Sequence, residues 1–159
     1  MTERPTNTAG SPAELAAALR STGYLADDGL ATAAFLAMEM NRPLFCEGEP
    51  GTGKTSLAAA LAEALRLPLI RLQCHDGIDA AQALYDWDFP RQLLHLRALE
   101  AAASATGDTL DADAVEASLY DPRFLLARPI LRALQTSPSV LLIDEVDRAD
   151  DEFEAFLLE

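Results

Sequence analysis

The stretch Gly48-Glu49-Pro50-Gly51-Thr52-Gly53-Lys54-Thr55 has the spacing G-x-x-x-x-G-K-[ST], and its surroundings decide the fold. The short apolar run Leu44-Phe45-Cys46 leads into it, and Thr55 to Leu65 follows, rich in alanine and leucine at helical periodicity. The order is strand, glycine-rich loop, helix. Glycines let the backbone wrap closely around phosphate oxygens so that successive N–H groups converge on them, and the helix N-terminus adds partial positive charge. Lys54 is placed to neutralise the β- and γ-phosphates of a nucleotide, and Thr55 to set its hydroxyl on Mg²⁺. Gly48 through Thr55, with Ser56, form the candidate nucleotide-contacting set. The bland alternative is a glycine-rich turn with an exposed lysine, and the flanking strand and helix weigh against it.

A second element lies far downstream. Val140-Leu141-Leu142-Ile143 is a continuous apolar run of the kind a strand covered on both faces shows, and it ends in Asp144-Glu145. Alone it reads as a strand followed by an acidic turn. With the upstream loop it reads as a Walker B element: Asp144 holds Mg²⁺ through its water shell, and Glu145 orients, or takes a proton from, the water that attacks the γ-phosphate. Lys54 and Glu145 are thus the candidate catalytic residues, and Thr55 and Asp144 the candidate metal ligands.

Outward from these two motifs, Ser11-Pro12-Ala13-Glu14 has the form of a helix start, with Ser11 as N-cap, Pro12 at the first position and Glu14 closing a capping box. A helix is predicted over 12–20, broken by Gly23; Asp27 or Asp28 caps a second, stopped by Asn41-Arg42-Pro43. Leu69 to Cys74 reads as a strand ended by Asp76-Gly77. From about 79 to 137 the pattern is a helical insertion of two or three helices, interrupted at Tyr85-Asp86-Trp87-Asp88-Phe89-Pro90 and at Thr106-Gly107-Asp108. Asp150 to Glu159 begins a further helix. Residues 1–10 read as a disordered arm and 11–159 as one partial core, without internal repeats.

Composition bounds the function classes. The chain has 159 residues, half of them apolar, and 26 acidic against 12 basic side chains give a formal charge of −14. Such a chain lacks the basic surplus that displaces counterions from phosphodiester backbones, so nonspecific nucleic-acid binding is disfavoured. Apolar runs fall well short of the roughly 18 residues of a membrane span, and the N-terminus lacks the apolar segment of a secretory signal. Two cysteines, Cys46 and Cys74, are too few for a disulfide framework, and no trusted zinc spacing joins them to His75 and His95. A cytoplasmic protein is expected.

The pairing of G-E-P-G-T-G-K-T with L-L-I-D-E-V-D-R-A-D resembles an AAA+ ATPase of the P-loop NTPase class, and more narrowly the MoxR-like branch. Arg71 to Arg97 and Phe124 to Leu134 are similar to the CoxD-like subgroup. The resemblance covers most of the chain after Leu44. It implies an α/β fold, a parallel sheet with flanking helices, and ATP and Mg²⁺ as substrate and cofactor. It also implies a homo-oligomeric, hexameric ring that remodels a client in chaperone-like fashion. Partners implied are a von Willebrand factor A domain protein and a client metalloenzyme such as carbon monoxide dehydrogenase, whose metal centre is matured.

The family core has strand order 5-1-4-3-2 and a helical lid, whereas this sequence offers candidates for strands 1, 2 and 3 only, so truncation before strands 4 and 5 and the lid is expected. Sensor residues and an arginine finger are accordingly not found in it, and the chain alone is expected to be inactive. Arg148 reads as an exposed helix-start arginine, with reach to a neighbouring subunit as the alternative. Tyr85, Trp87 and Phe89 read as rings of which one or two enter the core, with a client-contacting surface as the alternative. Tyr24 and Leu25 occupy the place where AAA+ proteins often contact adenine. Competing functions are a nucleotide-binding switch without hydrolysis and a small-molecule kinase; paired carboxylates after an apolar strand favour water over the latter's acceptor.

Overall fold

A computed structural model describes residues 9–107 and 109–158. Most of the arm expected over 1–10, together with Asp108 of the expected helix break, lies outside the described residues. Helix α1 (Pro12–Ser21) starts as its sequence dictates: the Ser11 hydroxyl accepts from the Glu14 N–H at 3.2 Å. Glu14 reaches back one residue further than a capping box requires and accepts from the Gly10 N–H at 2.7 Å. Of the two candidate caps for α2 (Asp28–Glu39), Asp27 serves, accepting from the Leu30 N–H at 2.7 Å. Helix α3 (Lys54–Leu65) begins directly at the glycine-rich loop. Leu15 and Leu19 of α1 are fully buried against Ala34, Leu57 and Ala60, which welds α1, α2 and α3 together. Each such leucine contributes about 1.5–3 kcal/mol by leaving water.

The second half is an α/β layer. Strand β1 (Leu69–Gln73) pairs in parallel with β4 (Val140–Asp144), Gln73 lying opposite Asp144. Between them run α4 (Ala80–Leu84), β2 (Tyr85–Trp87), α5 (Phe89–Thr106), α6 (Ala112–Leu119), β3 (Leu125–Ala127) and α7 (Pro129–Gln135). Asp79 caps α4 by accepting from the Gln82 N–H at 2.7 Å. Helices α3 and α7 pack on the β1–β4 sheet. Its second core joins Leu72, Cys74, Ile78 and Ala83 to Phe153 of α8 (Asp151–Leu158).

Four expectations change. Leu44-Phe45-Cys46 forms no ladder: among the described residues no strand stands between it and β4, and a strand without a neighbour has no partner for its backbone groups. For the same reason β4 is half-buried along its length rather than covered on both faces. The stretch from 79 to 137 carries four described helices rather than two or three, and its expected interruption at Tyr85 is strand β2, which with β3 forms an antiparallel ladder pinned by the Arg128–Asp86 ion pair at 2.9 Å. The fourth change concerns the rings. Phe89 is 66% exposed and Tyr85 40%, while Trp87 is half-buried and meets Tyr85 and Tyr120 edge-on at 6.2 and 5.5 Å. None enters either core, since α5 buries no side chain and adds no layer over the ladder.

Candidate functional site

The loop before α3 closes on its own groups. Gly51 and Gly53 take φ values of +83° and +88°, a region that costs other residues roughly 1–2 kcal/mol. The Thr52 hydroxyl donates to the Glu49 carbonyl at 2.9 Å, and Lys54 Nζ donates to the carbonyls of Gly48 and, at 2.8 Å, Glu49. With Gly53 as N-cap, no side chain caps α3. Its first N–H groups are therefore left for an outside acceptor, where the helix dipole favours an anion.

Across the sheet, β4 ends by placing the Asp144 carboxylate 3.4 and 3.5 Å from the Thr55 hydroxyl, joining residues 89 apart in sequence. Both are hard oxygen donors. Two such oxygens bound side by side to one Mg²⁺ at 2.0–2.1 Å would lie about 3 Å apart, so the pair fits that ion by donor type and by spacing. Among the described residues no group of three or more His, Cys, Asp or Glu side chains is gathered as a metal site.

The sequence reading missed Arg71. Its guanidinium donates to Asp144 Oδ2 at 2.7 Å and to Gln73 Oε1 at 2.6 Å, so a positive charge already sits on the carboxylate. Alternation along β1 puts Arg71 and Gln73 on one face, but which strand lies beside that face is not a local property. Glu145 follows in the left-handed region at φ +54°, ψ +44°, its N–H donating to Asp144 Oδ1 at 3.2 Å. Its carboxylate pairs with Arg148 Nε at 3.0 Å, both side chains being about half exposed. Arg148 is exposed as expected, and it also occupies the carboxylate read as the water-orienting group. A left-handed non-glycine residue at this position is the kind of local strain found at functional sites.

Ser56 lies apart from that cluster. With Thr22, Gly23, Tyr24, Ala59, Ala60 and Glu63 it lines a cavity of about 220 Å³ beside the loop. Tyr24 approaches Gly53 closely enough that a Cβ there would meet its ring at 3.6 Å. Burial pushes the Tyr24 phenol above its ordinary value, with Cys46 and Asp27 adding to the shift, so it stays protonated. Leu25 instead stands 81% exposed. Glu49 and Pro50 are exposed in the loop.

A family model described as AAA ATPase domain matches residues 29–159, which takes in the loop, α3, the parallel sheet and the Asp144-Glu145 pair. No curated protein and no solved structure matches the chain. No described helix is long and apolar enough to cross a membrane.

Proposed function

The chain belongs to the AAA ATPase domain family, and from that premise we propose that it binds ATP at Gly48–Ser56 and, in its assembled form, hydrolyses it with Mg²⁺. The observation that carries this is the meeting of Thr55 and Asp144 across 89 residues, at the mouth of an uncapped helix. Lys54 exchanges the Gly48 and Glu49 carbonyls for phosphate oxygens. Thr55 and Asp144 hold the cation, which when bound neutralises charge on those oxygens. Glu145, once Arg148 lets go, orients the attacking water and takes its proton. Tyr24 and Ser56 border the cavity on the side where the base would lie.

Beyond ATP turnover, we infer chaperone-like remodelling of a client metalloenzyme, carbon monoxide dehydrogenase being the example the CoxD-like stretches suggest. A hexameric ring of this chain, a von Willebrand factor A domain partner and a cytoplasmic setting belong to the same reading. Its support is the resemblance of the two Walker motifs to the MoxR-like branch and of 71–97 and 124–134 to the CoxD-like subgroup, and the two free thiols suit a reducing compartment. A second reading, a nucleotide switch without turnover, draws on the Glu145–Arg148 pair, which occupies the proposed base. Residues 1–159 alone are expected to bind weakly and turn over negligibly, because a neighbour's arginine is worth about 10³–10⁵ in rate.

Titration of a fluorescent ATP analogue, with and without Mg²⁺, tests the site. Binding is expected to be lost in Lys54→Ala, and Lys54-independent binding overturns the assignment. Hydrolysis by the complete protein, abolished by Glu145→Gln, supports the enzyme; binding without hydrolysis favours the switch.

A further inference from the structure

Away from the nucleotide loop, α5 and the 3-10 turn Pro122–Phe124 bring two arginines onto one ring. Phe124 is almost wholly buried, and the guanidinium carbons of Arg123 and Arg91 stand 4.7 and 5.9 Å from its centroid. His95, one helical turn beyond Arg91, lies 5.4 Å from the same ring. Together with Leu94 these residues line a cavity of about 270 Å³.

Hydrogen bonds hold the cluster in place. Arg91 Nη1 donates to the Arg123 carbonyl at 3.0 Å, and Arg123 Nη2 donates to His95 Nε2 at 3.0 Å. Because a guanidinium only donates, His95 Nε2 is the acceptor of that contact. Two cations over one ring and one cavity are what set the cluster apart. Arg71, Arg128 and Arg148 each meet a carboxylate within 3.0 Å. Arg91 meets none among the described residues, and the carboxylate nearest to Arg123 is Asp121, at 3.9 Å. In a chain of net charge −14, two weakly compensated cations therefore share one cavity.

We propose that this cavity is an oxyanion site, taking a carboxylate or phosphate group of a ligand whose apolar part lies over Leu94, which is 70% exposed. Each guanidinium carries five N–H donors in a planar fork, and each spends only part of them on the contacts above. Both guanidinium carbons lie over the aromatic floor, and the N–H groups not used in the contacts above remain for a planar or tetrahedral anion. The volume is below the roughly 300–1,000 Å³ of a drug-sized pocket, which suits one anionic group rather than a whole nucleotide.

His75 and His95 are the only histidines, so imidazole NMR signals report on this cavity with a built-in control. Succinate and inorganic phosphate are titrated at constant ionic strength into the wild type and into Lys54→Ala, which removes competition from the nucleotide loop. The expected result is saturable movement of the His95 signals while His75 stays still, unchanged in Lys54→Ala. Arg91→Gln, at an exposed helical position, weakens the response about tenfold or more, the scale of one charge-assisted hydrogen bond. Circular dichroism confirms that this variant is folded. Saturation by succinate alone marks a carboxylate ligand, and by phosphate alone a phosphoryl one. No saturable movement with either anion, equal movement of both histidines, or an undiminished response in Arg91→Gln overturns the proposal.

Discussion

Replacing Asp144 by asparagine separates what this carboxylate does for the fold from what it does for a bound cation. In the structure it holds Arg71 at 2.7 Å, with side-chain exposures of 19% for Asp144 and 53% for Arg71. Two unit charges about 4 Å apart attract by ~1–4 kcal/mol at effective dielectrics between water and a protein surface. Desolvation and side-chain ordering offset most of that, leaving about 0.2–1 kcal/mol for a pair so open to water. The contacts to Thr55, at 3.4 and 3.5 Å, are too long to add much. Asparagine also keeps an oxygen to accept from the Glu145 N–H. The unfolding free energy should therefore fall by about 1 kcal/mol or less, a Tm loss of about 2–4 °C in a chain of this size. The Mg²⁺-dependent part of nucleotide affinity should fall by about tenfold or more, because a neutral amide replaces the carboxylate assigned to the cation. Thermal unfolding followed by circular dichroism, paired with fluorescent-nucleotide titrations in Mg²⁺ and in EDTA, reads both numbers. Arg71→Ala is the companion variant: a similar small Tm loss, with Mg²⁺ dependence retained or strengthened. A Tm loss above about 8 °C would refute the reasoning that this partly exposed pair is weak, and an unchanged Mg²⁺ dependence in Asp144→Asn would remove it from the metal site.

Other parts of the molecule give sharper tests of packing and charge. Leu15→Ala, at a fully buried position joining three helices, should cost about 2–5 kcal/mol in urea unfolding, and a loss under about 1 kcal/mol would mean that the α1–α3 core collapses around the gap. Burial pushes the Cys74 thiol up, and the charges of Asp144, Asp147 and Glu145 push the same way, so iodoacetamide should label half-buried Cys46 well before Cys74 in the native protein. Peptide mass mapping that finds equal labelling contradicts this. The Asp86 carboxyl is held below its ordinary value, chiefly by its hydrogen bond from Arg128 and then by the Trp87 N–H. A lowered folded value means the contact is fully present above the unfolded carboxylate range, near pH 4, and is lost as pH falls through the folded value. In Arg128→Ala the NMR titration of Asp86 should move upward, and an unmoved midpoint would assign the shift elsewhere.

Local signals were read well where short-range bonds carry them. Ser11 and Asp27 each accept from a backbone N–H three residues ahead, a contact spelled out within four residues of sequence. The aromatic stretch shows where such reading ends. Alternating rings and acids at Tyr85 to Phe89 read as one or two rings entering the core, yet core burial needs a covering layer, and α5 buries no side chain. Leu44 to Cys46 has the composition of a strand, but a ladder needs a neighbour at the right register.

By itself the sequence determined the α/β class, the glycine loop opening α3, the strand ending in Asp144-Glu145, and most helix starts, because periodicity, caps and turns act over a few residues of chain. Tertiary structure alone decided the rest. It laid β1 beside β4 so that Arg71 grips Asp144, turned Glu145 left-handed toward Arg148, and gathered Arg91, His95 and Arg123 over Phe124. The first and last of these join residues tens of positions apart, and their partners are chosen by strand register and by which faces remain uncovered. The Glu145–Arg148 pair spans only three residues, but it depends on a left-handed backbone that the apolar and charged pattern does not encode.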